Sequence, residues 1–424
     1  MRQNLASVAA VGRLGVWRLG VWCVVVAGAL GLGGCGASRP DGNTPLSVVS
    51  SSIFHDDPRS ELIVHDVASV RVSDFSTQGV AALSTVLGRD AWAAMQLAEG
   101  GVPDSVPTLT TTEGKAYRAG AILTSPVIEL RRSVQEILPS WNIDVAGAQA
   151  GLRIEVRAGN TRLSQWTPWF DLGGAGIERP ASWGPLQTKV AGDFAARVDI
   201  DVLVLTGVPA DRVQYRLIGF GTGPVFVSAV SICASVTDSD GGKAGGTPAP
   251  QGSSRGRLGL PFKSQRTQRD ELSGRLCSPT SVTMVVTAAT RKPILVQTTA
   301  ELAYDKSHDI YGNWPRNVQA AFELGARGFV TRYSSWSQVE QTLARGIPIV
   351  ASIRVKPGEL RNAPYPKTDG HLIVIEGLDD NGDVLVLDPA SPDEKTGTLT
   401  YLREDMTKVW FGGSDGTAYV LLPK

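Results

Sequence analysis

Cysteine and histidine are both scarce in this chain of 424 residues, at four of each. The cysteines, Cys23, Cys35, Cys233 and Cys277, show no Cys-x-x-Cys spacing, and no histidine clusters with them. That pattern argues against a zinc site or a disulfide-rich scaffold. An excess of either charge is also lacking. Lys+Arg and Asp+Glu each total 41, so there is no electrostatic footprint for nucleic acid and none for an acidic partner. We find no repeat of fixed period and no Gly-x-x-x-x-Gly-Lys-Ser/Thr nucleotide loop. Neither a metal nor an organic cofactor is expected.

What is present begins with an address. Arg2, Arg13 and Arg18 precede the apolar run Val21–Leu32, which ends in Gly33-Gly34-Cys35. A positive flank, a short apolar core and small residues before a cleavage point make a secretory signal. The run is too short and too rich in glycine to be a good membrane-spanning helix. Leu32-Gly33-Gly34-Cys35 resembles a bacterial lipobox, which implies cleavage before Cys35 and lipidation of that residue. The expected location is therefore outside the cytoplasm, lipid-anchored to the cell envelope on its periplasmic or cell-surface side. Two or more acyl chains would hold the N-terminus firmly, since one alone binds only marginally.

Composition divides the chain further. Residues 1–34 read as the signal peptide and 35–46 as a tether. Residues 237–257 form a Gly/Pro/Ser-rich linker that cannot bury a core. It separates an N-terminal body at 47–236 from a C-terminal body at 258–424. The first reads as an all-β sandwich. Leu62–Val72, Leu152–Arg157, Arg197–Leu205, Val213–Ile218 and Pro224–Val230 mostly alternate apolar and polar residues between turns. Trp141, Trp166, Trp169 and Trp183 fit the packing of such a sandwich. Were they exposed, they would form a platform for a glycan or another cell-envelope ligand. Thr124–Glu129 and Trp166–Gly173 resemble sandwich modules found beside secreted bacterial hydrolases.

The C-terminal body reads as α+β, with helices first and a sheet after. Asn317–Gly325 and Trp336–Ala344 carry helical spacing, while Ile347–Val355, His371–Leu378 and Asp383–Asp388 read as strands. Ahead of these, Ser278 and Pro279 suit a helix cap and first turn. Val282, Val285, Val286 and Ala289 would then give one buried face. Cys277 sits at the N-terminal edge of that helix, where unpaired N–H groups favour the reactive thiolate.

His371 opens a strand, and Asp379-Asp-Asn-Gly382 is a strong turn signal before the return strand. With a two- or four-residue loop, Asp388 faces Ile375 or Ile373, on the side of the sheet that His371 uses. In the four-residue case the two lie diagonally, with Cβ atoms roughly 7–8 Å apart. An aspartate can then fix the imidazole tautomer and leave the other nitrogen for a thiol proton. His308, His55 and His65 have no evident partner and read as surface residues.

Leu260–Gln265, Leu276–Met284, Tyr311–Pro315, Gly370–Ile375 and Asp388-Pro389, taken in order, resemble family thirty-nine of the cysteine peptidases in its soluble branch. The resemblance implies a papain-like fold with Cys277 as nucleophile, His371 as general base and acid, and Asp388 as the orienting acid. It makes Gln265 a side-chain donor to the oxyanion. Ser278 stands where family members often carry glycine. Members that trim double-glycine leaders are fused to membrane transporters, and this chain has neither later spanning segments nor a nucleotide loop, so that role does not carry over. The expected chemistry is cleavage of peptide or isopeptide bonds in a peptide or protein substrate, through a thioester. Trp314 is expected to border the cleft. The rival readings are an anchored scaffold lipoprotein without turnover and a thiol acyltransferase. A disulfide between Cys233 and Cys277 would silence the nucleophile.

Overall fold

A computed structural model describes residues 44–66, 76–78, 94–97, 108–110, 116–118, 121–145, 149–179, 186–221, 223–237, 256–267 and 270–424. The expected leader, Cys35, most of the tether, most of the linker and Trp183 lie outside the described residues. Among the described residues, no helix is long and apolar enough to cross a membrane.

The N-terminal region consists mainly of two seven-stranded antiparallel sheets. In the first, Gly223–Ser235 lies between Ser60–Asp66 and Glu136–Val145, and Val202–Leu205 extends the sheet beyond Glu136–Val145. The second centres on Ala150–Asn160 paired with Ala210–Gly221. Alternation sends Ile137, Trp141, Ile143, Val230 and Ile232 from one sheet, and Leu152, Ile154, Val156, Tyr215 and Leu217 from the other, into one shared core. Trp141 is part of that core. Trp166 and Trp169 are only half-buried and interleave with arginines, Arg157 lying over both rings at 4.5 and 4.6 Å.

One segment departs from its sequence pattern. Arg197–Leu205 alternates as far as Val202, across the turn itself, yet it folds as two strands, Ala196–Asp199 and Val202–Leu205, paired antiparallel. The chain reverses at Ile200 and Asp201, with Ile200 at φ +60°. A β-branched residue rarely takes that conformation, which is why alternation alone reads as one continuous strand.

In the C-terminal region, helices Cys277–Thr290, Val296–Ala303 and Trp314–Glu323 precede six strands of a seven-stranded antiparallel sheet, whose remaining strand, Gly256–Arg257, comes before them. Val330, Val350, Leu372, Val374 and Leu421 share a core with Val282, Val285 and Val286 of the first helix. On the opposite face, Ile349, Ile353, Ile373 and Ile375 pack with Trp336, Val339, Met406 and Trp410. The helix Trp336–Ala344 is anchored by a capping box between Ser335 and Gln338.

Buried amide pairings fasten the two regions to each other. Asn142 exchanges hydrogen bonds with the backbone of Gly328 at 2.7 and 2.8 Å. Gln319 does the same with Ile143 at 2.6 and 3.0 Å. Arg332 pairs with Glu136, and Leu138, Val202 and Cys233 join the core under the Cys277 helix.

Candidate active site

The cysteine helix starts two residues earlier than its cap signal predicts. Cys277 is its first residue and Leu276 precedes it without a side-chain cap. Ser278 is not the cap, because its hydroxyl pairs with Tyr419 Oη at 2.9 Å, inside the protein. Nor is the helix buried on one face only. Ser278 through Val286 are all buried, while Ala289 is only half-buried. This helix is sunk into the domain, with Cys277 half-buried at its N-terminal end.

Ser281 Oγ holds that end against the histidine strand, donating to Leu372 O at 3.0 Å, and the Leu372 N–H favours the Cys277 thiolate. Leu372 follows His371, so the helix end is pinned beside the imidazole. His371 is 5% exposed. Its Nε2 pairs with Asp388 Oδ1 at 2.8 Å, and the ring lowers the pKa of the Cys277 thiol. With Nε2 occupied by Asp388, Nδ1 is the nitrogen left for sulfur. The structure thus brings Cys277, His371 and Asp388 together.

A β-bulge sets Asp388 on the face of His371. The loop between the strands Thr368–Leu378 and Val384–Leu387 has five residues, because Leu378 pairs with Val384. An odd loop would turn Asp388 to the opposite face. The register slips between Ile375 and Gly377, so that Ile375 pairs with Val386 and Val374 with Leu387. Continued by one position, Asp388 comes opposite Ile373, the alternative that a four-residue loop would have given.

The bulged residue, Glu376, is buried. It accepts from Arg257 at 2.6 Å and from the backbone N–H groups of Gly259 and Leu260 at 3.1 and 3.2 Å. These contacts tie down the segment that delivers Gln265. Gln265 is 7% exposed, and its backbone N–H donates to Pro389 O at 2.9 Å. Its side-chain Nε2 donates to Ser273 O at 2.7 Å. Gln265 therefore bridges the residue after Asp388 and the turn that leads into Cys277.

Asp388 is fully buried and fully bonded. Oδ1 also accepts from Ala390 N at 2.9 Å, and Oδ2 accepts from Tyr365 Oη at 2.9 Å and Tyr401 Oη at 2.8 Å. The Tyr365 ring meets the His371 ring edge-on, with centroids 4.8 Å apart. Neither tyrosine carries a local sequence signal, because both approach from distant segments.

These surroundings set the charges. Burial alone would discharge the His371 ring, but the Asp388 charge and hydrogen bond, with the Cys277 contact, raise its pKa well above 6.5. Burial likewise disfavours a thiolate at Cys277, yet the contact with His371 and the N–H groups of Leu372 and Ser278 bring its pKa below 9.0. Asp388 is held below 3.8 by His371, Ala390 and Tyr401 against the effect of burial. The arrangement favours a thiolate beside an imidazolium.

The remaining candidates sort plainly. Trp314 opens its helix, half-buried, and its N–H donates to Asp201 Oδ2 at 2.7 Å. Cys233 is buried and Cys277 half-buried, and both are free, so no disulfide joins them. Contrary to expectation, His308 has a partner, Asp305 Oδ2 at 2.9 Å. His65 lies in a strand with Nδ1 2.8 Å from Tyr215 Oη, whereas His55 is exposed beside Asp56. Among the described residues, no cluster of His, Cys, Asp and Glu could hold a metal ion.

Residues 257–414 match the Peptidase C39-like family, and residues 69–225 match the Peptidase C39 N-terminal domain. No curated protein matches the chain. The first match covers Gln265, Cys277, His371 and Asp388 together. By these two matches, the chain belongs to the C39-like family of cysteine peptidases.

Proposed function

We propose that the chain is a cysteine-dependent hydrolase that cleaves peptide or isopeptide bonds through a thioester acyl-enzyme. The observation that carries this reading is the imidazole of His371, engaged by Asp388 at 2.8 Å on Nε2 and by the Cys277 thiol on its other side.

In the first half-reaction, the Cys277 thiolate attacks the carbonyl carbon and the C=O π electrons move onto oxygen. That oxyanion accepts from a backbone N–H near Cys277 and from Gln265 Nε2, which has a second hydrogen beyond the one given to Ser273. As the C–N bond breaks, the His371 imidazolium passes its proton to the departing amine, leaving a thioester. In the second half-reaction, neutral His371 takes a proton from water, whose oxygen attacks the thioester. Collapse releases the carboxylic acid and restores the thiolate–imidazolium pair. Asp388 keeps the ring in one orientation throughout.

The same reading takes the two N-terminal sheets as a β-sandwich accessory domain and the C-terminal region as a papain-like fold. It places the chain outside the cytoplasm, tethered through lipidated Cys35. The half-buried Trp166–Trp169 face is the part of the sandwich open to a cell-envelope ligand.

The test is incubation of the purified chain with a defined library of synthetic peptides, read by mass spectrometry. Wild type should generate new peptide termini and Cys277→Ala should generate none. Equal products from both, or none from either, overturn the hydrolase reading, and the second result would favour a scaffold.

A further inference from the structure

We propose that the N-terminal domain supplies one wall of the substrate cleft, the turn at Ile200 and Asp201, and that an extended peptide substrate packs an apolar side chain against Ile200. This rests on the hydrolase reading above and deepens it.

A cavity of about 400 Å³ lies between the two regions, within the size range of ligand-binding clefts. From the N-terminal side it is lined by Asp199, Ile200, Asp201 and Val202, and from the other by Ile310, Trp314 and Arg354. None of Gln265, Cys277, His371 and Asp388 lines it, but its wall reaches the strand paired with the histidine strand. Arg354 follows Ile353, the residue paired with His371 in the sheet. Ser414, also in the lining, donates from Oγ to the carbonyl of Ser352. Val202 and Tyr419 share one core, against which Trp314 and Cys277 both pack, and the Tyr419 hydroxyl pairs with Ser278.

The turn is held in place. Asp201 Oδ2 accepts the Trp314 N–H at 2.7 Å, and Val202 is buried in the core beneath the cysteine helix. Ile200, by contrast, is 46% exposed. It occupies the first central position of a two-residue hairpin at φ +60°, where glycine is the usual occupant. A β-branched side chain there strains the backbone and contributes little to any core. Such strain at an exposed apolar residue, on the lip of a cavity that reaches the core shared with the cysteine helix, is accounted for by a contact made with the substrate.

The strain supplies a discriminating variant. Ile200→Gly removes the side chain while relaxing the backbone, so a residue kept for stability and one kept for binding give opposite results. Wild type and Ile200→Gly would be compared on the peptide library and on the best-cleaved peptides from it, alongside melting temperature and the rate of Cys277 labelling by iodoacetamide. We expect an equal or higher melting temperature and unchanged labelling. KM should rise about tenfold with kcat within about twofold, and the library preference should shift at one position. Unchanged KM and preference overturn the inference while leaving the hydrolase reading intact. Absence of cleavage by wild type overturns both.

Discussion

Tyr401 Oη donates to Asp388 Oδ2 at 2.8 Å, on the carboxylate oxygen that His371 does not use. With Tyr365 on the same oxygen and Ala390 N–H on the other, Asp388 meets four donors in a site sealed from water. A buried carboxylate needs such satisfaction to stay ionised, and only an ionised Asp388 can hold His371 charged and aligned.

Tyr401→Phe should therefore weaken both stability and turnover. Losing a hydrogen bond to a charged group costs about 2 kcal/mol, readable in urea unfolding. Turnover on the library peptides should fall severalfold, because Asp388 gains freedom to leave the ring. Stability and turnover both equal to wild type would remove Tyr401 from the account.

Glu376→Ala should be more damaging. The side chain is buried and answers Arg257 and two backbone N–H groups. Breaking a buried pair costs about 3 to 5 kcal/mol. Arg257 keeps some access to water, so about 2 to 3 kcal/mol is expected for this site. Activity should fall with it, since the bulge sets the register of Asp388 and the anchored segment delivers Gln265. Equilibrium unfolding and library cleavage on the same preparation give both readings.

The pH dependence of stability carries a signature of the pair. His371 has a raised pKa, so its contribution is complete below 6.5 and is lost as pH rises through the folded-state value. Cys277 acts in the opposite sense, because the folded chain has given up a proton that an unfolded thiol keeps up to 9.0. In Cys277→Ala only the histidine contribution remains, still raised by Asp388. Its urea midpoint should decline more steeply above pH 6.5 than that of wild type. Parallel declines would mean that sulfur and imidazole do not share a proton.

Much of the site was legible in the sequence because its parts carry local patterns. A helix signal follows Cys277, an apolar strand run begins at His371, and a turn signal separates it from Asp388. The bulge at Glu376 was not legible, since Leu372–Ile375 is apolar on both faces and offers no alternation for an extra residue to interrupt. Ser278 reads as a cap from its neighbours alone, yet its hydroxyl is taken by Tyr419, more than a hundred residues away in sequence. Ile200 hid the hairpin for a different reason: the pattern assumes relaxed backbone, and that turn is strained. Tyr365 and Tyr401 matter through contacts that only the folded chain creates.

The most direct test is the pH profile of Cys277 alkylation by iodoacetamide, followed by mass spectrometry, in wild type and His371→Ala. The account predicts a wild-type midpoint below the ordinary thiol value of 9.0 and a shift toward that value once the imidazole is removed. Superimposable profiles would show that His371 does not activate the thiol, and the reading of the site as a cysteine hydrolase centre would fall.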